Sequence, residues 1–154
     1  VTTLIKNLDV RTIALGIGVS RATSNLPATA ALNIFTITGG RILIRALIGE
    51  VTTAIQAQAC TVKVTSTPVA GSAVDLSAVS ASISGLEVGG RLTLPAAAAT
   101  ALVTGNAGGV IGDQAKWVIG PGALSYTTSA TNTGQIKWDL VYVPLDVGAQ
   151  VVAA

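Results

Sequence analysis

The stretch GGRILIRALIGEVTTAIQAQACTVKVTST, residues 39–67, decides the fold class. Apolar and polar side chains alternate along it with a period near two, the repeat of an extended chain with one covered face. Residues 32–38 (LNIFTIT) read as a strand leading into it. Gly39-Gly40 reads as a tight hairpin turn, because glycine reaches positive φ without a Cβ clash. Residues 41–48 (RILIRALI) are then the hairpin partner. Ile42, Ile44, Ala46 and Ile48 share one face, and Arg41, Leu43, Arg45 and Leu47 the other. Gly49-Glu50 allows a turn or bend. Residues 51–65 follow as a second long strand whose phase slips: Val51, Ile55 and Ala59 share a face, then Cys60, Val62 and Val64 take over. A one-residue slip exchanges the two faces of a strand, so a β-bulge is expected near Ala59 and Cys60.

Working outward, residues 10–19 read as a first strand, weakened by Gly16 and Gly18, and residues 20–29 as a polar loop. Residues 66–71 form a turn, 74–83 a weak strand, and 86–94 a Gly89-Gly90 turn with a short strand, RLTL. Residues 95–102 (PAAAATAL) fit a short helix or an extended loop equally well. A Gly-rich loop, 104–112, precedes three strands at 116–119, 124–128 and 135–143. In the last, Ile136, Trp138, Leu140 and Tyr142 face one way and Gln135, Lys137, Asp139 and Val141 the other, with Pro144 ending it. Short strands punctuated by Gly and Pro, without repeat or heptad, predict an all-β chain: a single β-sandwich, jelly-roll-like, or a barrel. The domain is expected over 11–144, between an N-terminal arm, 1–10, and a C-terminal tail, 145–154. Leu4 and Ile5 in the arm, and Val151 and Val152 in the tail, are exposed unless they dock on something.

Composition narrows the setting. The chain has 154 residues, enough for one domain with a real core. Half of them are hydrophobic and only 10% are charged. A freely soluble surface carries about 25–35% charged residues, so partners are expected to cover part of this one. The competing reading is a neutral Thr- and Ser-rich surface that stays soluble alone. The net charge is +2, and the nine basic residues are scattered without an aromatic stacking platform, which argues against nucleic acid. A single cysteine excludes an intrachain disulfide. No apolar run reaches the roughly 18–20 residues of a membrane span. Val1 fits removal of an initiator Met, or proteolytic maturation.

The residues for chemistry are sparse. There is no histidine, hence no Ser-His or Cys-His arrangement and no common zinc ligand. Cys60, in a strand, reads as a small buried hydrophobe. Glu50 and Asp139 are the carboxylates that strand pairing could bring together, yet no sequence signal demands it. The loop from Gly105 to Lys116 lacks the Lys and hydroxyl placement of a phosphate-binding loop. Trp117, Tyr126, Trp138 and Tyr142 could form a sugar platform, but Trp138 and Tyr142 share the apolar face of one strand and read as core. No catalytic, cofactor or metal site is expected, and the chain is not read as an enzyme.

The run GGRILIRALIGEVTTAIQAQACTVKV and the closing GQIKWDLVYVPLDVGAQVVAA resemble small structural proteins of tailed bacteriophage virions. The likeness covers residues 32–154 and is one of local phrases. It implies a capsid decoration, or cement, protein: a β-sandwich module made in the host cytoplasm that trimerises on the capsid surface and clamps neighbouring major capsid proteins. On that reading Arg41, Arg45 and Lys137 are candidate rim contacts, and Leu4, Ile5, Val151 and Val152 candidate clasp residues. A receptor- or glycan-binding module of a phage tail fibre or spike is the alternative.

Overall fold

The computed structural model describes residues 6–106 and 108–154. One helix, α1 (Asn7–Leu15), precedes eleven strands among these residues. They are β1 (Ile17–Asn25), β2 (Ala31–Thr38), β3 (Ile42–Thr53), β4 (Val62–Pro68), β5 (Val74–Asp75), β6 (Arg91–Thr93), β7 (Val103–Gly105), β8 (Val118–Ile119), β9 (Gly122–Thr128), β10 (Gln135–Pro144) and β11 (Gln150–Ala153). The fold is all-β, in two antiparallel sheets. The first, here the β10 sheet, runs β1-β10-β3-β6-β7, with β8 pairing the far end of β3. The second, the β9 sheet, runs β11-β2-β9-β4-β5.

The two sheets share one hydrophobic cluster. From the β10 sheet come Ile42, Ile44, Leu47, Val51, Leu92, Ile136, Trp138 and Leu140; from the β9 sheet come Phe35, Ile37, Val62, Val64, Leu124 and Tyr126. Tyr126 and Trp138 meet across the gap with ring centroids 5.2 Å apart, tilted at 50°. Each large side chain buried there contributes about 1.5–3 kcal/mol relative to exposure. The alternation read along β10 is therefore the core pattern.

Several local expectations are corrected. Gly39-Gly40 does not close a hairpin: β2 and β3 lie in different sheets, and the glycines turn the corner between them. Both have positive φ, 76° and 156°, and a Cβ on Gly39 would sit 2.1 Å from the Gly148 carbonyl oxygen. Arg41 locks this corner. Its backbone N–H, Nε and Nη2 donate to the Asp146 carboxylate at 2.7, 2.9 and 2.7 Å. Those bonds hold the Asp146 carboxyl at about 2, below the usual carboxylate range.

Gly49-Glu50 is no turn; it lies inside β3. A Cβ on Gly49 would lie 3.0 Å from the Trp138 ring, so glycine there makes room for the indole. The bulge also falls elsewhere. Tyr142 pairs with Ile44 and Val141 with Ala46, which leaves Arg45 as the extra residue. Leu47 consequently turns inward and Ile48 outward, opposite to the alternation read from residues 41–48. The second phase slip, near Ala59 and Cys60, marks a change of sheet: β3 ends at Thr53 and β4 starts at Val62 in the other sheet. Cys60, buried in that crossing, joins the core.

Residues 10–15 are helical, where a strand is expected from sequence; β1, Ile17–Asn25, begins within the expected strand and runs through residues 20–25, where a loop is expected. The Lys6 N–H donates to Asp9 Oδ2 at the start of the helix, and Gly16, at φ 102°, ends it. Residues 95–102 take the second of their two expected forms, a loop of bends and a turn without helix. Residues 145–154 are not a free tail, because residues 150–153 add β11 to the edge of β2. Of the weak strand at 74–83, only Val74–Asp75 pairs as a strand. The remainder still covers the edge of β4, with serine hydroxyls replacing backbone carbonyls as acceptors. Val64, Val62 and Cys60 N–H groups donate to Ser77, Ser80 and Ser82 Oγ at 3.4, 2.9 and 3.3 Å. Buried N–H groups need such partners.

Candidate interaction surface

The strand registers arrange the outer face of the β10 sheet in rows. Val118, Leu43 and Val143 form the first row and Ala46, Val141 and Gly18 the second. Ile48 lies beside Asp139 and Ser20 in the third, where Ser20 Oγ bonds Asp139. The fourth is ionic: Glu50 pairs with Arg91 at 3.1 Å and Lys137 with Asp139 at 3.6 Å. One end of this face is thus apolar and the other charged but internally paired. Arg45 stands exposed on its bulge beside the apolar rows and makes none of the ion pairs found among the described residues.

Helix α1 borders the same rows. Leu8, Arg11, Thr12 and Leu15 line a groove of about 220 Å³ with Gly16, Gly18 and Val141. None of the helix side chains is buried, and Ile13 is 78% exposed. A nine-residue helix is shorter than the roughly 12–15 residues that hold helical structure alone, so this one depends on packing.

The outer face of the β9 sheet differs. Its rows are Val152, Thr36, Ala123 and Thr67; then Asn33, Ser125, Thr65 and Asp75; then Ala31, Thr127 and Lys63. Lys63 Nζ and Thr65 Oγ1 both donate to Asp75, at 3.0 and 2.8 Å. These bonds, the Thr65 hydroxyl first, lower the Asp75 pKa. A shallow groove of about 100 Å³ lies among Thr61, Lys63, Val79, Thr127, Thr128 and Ser129.

The residues singled out from sequence do not form one patch. Arg45 and Lys137 share the outer face of the β10 sheet, at opposite ends. Arg41 sits at the β2–β3 corner, held by Asp146. Val151 is 6% exposed and belongs to the core, whereas Val152, 49% exposed, lies on the outer face of the β9 sheet. Leu4 and Ile5 lie outside the described residues. Sequence reasoning missed α1; the Asp9 capping position and Gly16 were the available signals.

Glu50 and Asp139 do come to one face, but each is held in an ion pair on an open sheet. Trp138, Tyr126 and Tyr142 are buried, which leaves only Trp117 of the four aromatics partly exposed. In the loop from Gly105 to Lys116, two side chains anchor the fold: Asn106 Oδ1 accepts from Glu87 N–H at 2.7 Å and Gln114 Oε1 from Leu47 N–H at 2.9 Å. Among the described residues no three His, Cys, Asp or Glu side chains cluster to hold a metal, and no helix is long and apolar enough to cross a membrane. The chain matches no protein-family model, no curated protein and no solved structure.

Proposed function

We propose that this chain is a jelly-roll subunit of a virion, a decoration or cement protein that reinforces a phage head by binding between major capsid proteins. The strand pairing supports the jelly roll: β1 with β10, β2 with β9, β3 with β6 and β4 with β5 are four nested antiparallel pairs divided between two sheets. The observation that carries the function is the exposed apolar side of α1, Leu8, Val10, Ile13 and Leu15, beside the half-buried apolar rows of the β10 sheet, where Val118 is 56% exposed. A protein whose work is to be sandwiched between neighbours needs such a surface, while a free soluble chain does not. The mechanism is mechanical: interfaces shared among several capsid subunits must all break before the shell opens. Closed symmetry, a trimer on this reading, lets one patch serve every copy.

The test adds purified protein to capsids lacking it and measures occupancy by imaging, with capsid opening temperature as a second readout. Occupied sites at symmetry axes and a raised opening temperature are expected. Deleting residues 1–10 should reduce occupancy; full occupancy without them would sink the clasp role of the arm. The groove beside Thr127 favours one other reading, a glycan-binding module of a tail fibre or spike, and binding to a glycan array in the absence of capsid binding would select it.

A further inference from the structure

Five basic side chains take no part in the ion pairs found among the described residues: Lys6, Arg11, Arg21, Arg45 and Lys116. Arg21 is engaged elsewhere, donating to Ala154 O and Ser24 Oγ at 3.1 and 2.6 Å. Three of the others converge on one spot. Arg11 lines the groove beside α1 together with Val141. Val141 pairs with Ala46, and Arg45 is the bulged residue next to it. On the other side of β3, Leu43 pairs with Val118, and the Ile44 N–H donates to Trp117 O at 2.8 Å. That register places Lys116 opposite Arg45. All three cations are exposed. Neighbouring strands lie about 4.8 Å apart, so Arg45 and Lys116 stand within the roughly 8–10 Å over which charges interact at ordinary salt. Like charges set opposite each other destabilise a sheet.

The carboxylates at hand do not offset them. Asp9 accepts from the Lys6 N–H at 3.2 Å and has the Lys6 ammonium for a neighbour, while Asp113 is exposed and makes none of the ion pairs found. Glu50 and Asp139, further along the face, are held by Arg91 and Lys137. Lys6, Arg11, Arg45 and Lys116 thus outnumber Asp9 and Asp113 by as much as the net charge of the whole chain, +2. Leu43, Val118 and Val141 lie between the cations.

We propose that this strip, Arg11, Arg45 and Lys116 around Leu43, Val118 and Val141, docks an acidic, aliphatic surface of a partner protein. Carboxylates of the partner face the three cations, and its aliphatic side chains cover the three apolar ones. Nucleic acid would meet the cations with phosphates and leave the hydrocarbon between them uncovered. The inference rests on the reading of the chain as a decoration protein; it names the chemistry of the shell surface that the chain recognises.

Occupancy of the full chain on capsids lacking it, followed against salt, tests the strip. Affinity should fall about tenfold from about 50 to about 300 mM sodium chloride. Arg45→Gln combined with Lys116→Gln should weaken binding by about tenfold more, yet leave the melting temperature of the free protein unchanged or raised, because it removes a repulsion. Glu87→Gln, outside the strip, should change neither. Capsid binding indifferent to salt and to the double variant overturns this inference and leaves the decoration role standing. An unmodified protein that ignores capsids sinks the decoration role, and the strip is then judged in solution. A peptide alternating Glu and Val should shift the amide resonances of Arg45, Lys116 and Val141, and its Lys-for-Glu counterpart should not. Equal shifts with both peptides, or tighter binding of duplex DNA or phosphatidylserine vesicles at the strip, overturn the proposal.

Discussion

The two sheets are alike inside and unlike outside. Both turn aliphatic and aromatic side chains into one core. On the outside, the β9 sheet presents the polar side chains of Asn33, Thr36, Thr65, Thr67 and Thr127. The β10 sheet presents the apolar ones of Leu43, Ala46, Ile48, Val141 and Val143. An antiparallel sheet commonly keeps one face wet, and the β9 sheet, with its polar outer face, follows that rule. A sheet that is apolar on both faces needs something on each side. The low charge of the whole chain is thus unevenly distributed in its meaning: neutral hydroxyls on one surface, uncovered hydrocarbon on the other.

The comparison can be broken at several strengths. Neighbours on β10 test where inside ends. Leu140→Ala should cost about 2–5 kcal/mol in urea unfolding, and Val141→Ala less than about 1 kcal/mol. Similar losses would mean that the outer face is already packed within the chain. Next, a carboxylate can be placed on each outer face. Val141→Asp should reduce capsid occupancy more than about tenfold by imaging, while Thr127→Asp should leave it unchanged. Equal effects would abolish the distinction between the faces. A smaller effect is expected at the serine-lined edge of the β9 sheet. Ser80→Ala removes the acceptor of the buried Val62 N–H and should cost about 1–3 kcal/mol. Indifference there would show that water replaces the hydroxyl. The smallest concerns Asp146 at the corner. Its folded pKa of about 2 lies below the unfolded value near 3.8, so its contribution is complete above the unfolded value and fades as pH falls through about 2. The difference in urea midpoint between the unmodified protein and Asp146→Asn should therefore be present at pH 5 and shrink towards pH 2; a constant difference would remove Asp146 from the acid response.

Much of the fold was legible in the sequence where a strand has one purely apolar side. β10 carries such a pattern and lies where expected; β2 also lies where expected, although Ile34 and Phe35 are both buried at an irregularity in its pairing. The pattern fails where the backbone departs from a regular ladder. Nothing local distinguishes a Gly-Gly hairpin from a Gly-Gly corner, because the choice depends on Gly148 and Asp146, more than a hundred positions away. Gly49 reads as a turn because the ring of Trp138, which requires its missing side chain, comes from a strand far along the chain. The Arg45 bulge hides in residues 41–48 because apolar residues occupy both parities there. Of the candidate surface, Arg45 and Lys137 were found as outward charges, but the helix was not. Its Val10, Thr12 and Ile13 are β-branched and suit a strand equally well. Val151 misled because a short final run beyond Pro144 gives no sign of whether it returns to the sheet.

The nesting of the strands has a consequence for how the chain is made. β4 and β5 pair across a short connection, but Ser20 bonds Asp139, 119 residues later. At the usual 5–20 residues per second of synthesis, β1 waits roughly 6–24 s for its neighbour to emerge. The sheet with the apolar outer face lacks its central strand until β10 emerges, and only β11 of the other sheet follows it. A nascent chain therefore has no finished sticky surface until β10 has emerged and paired, and association through that face is deferred until then.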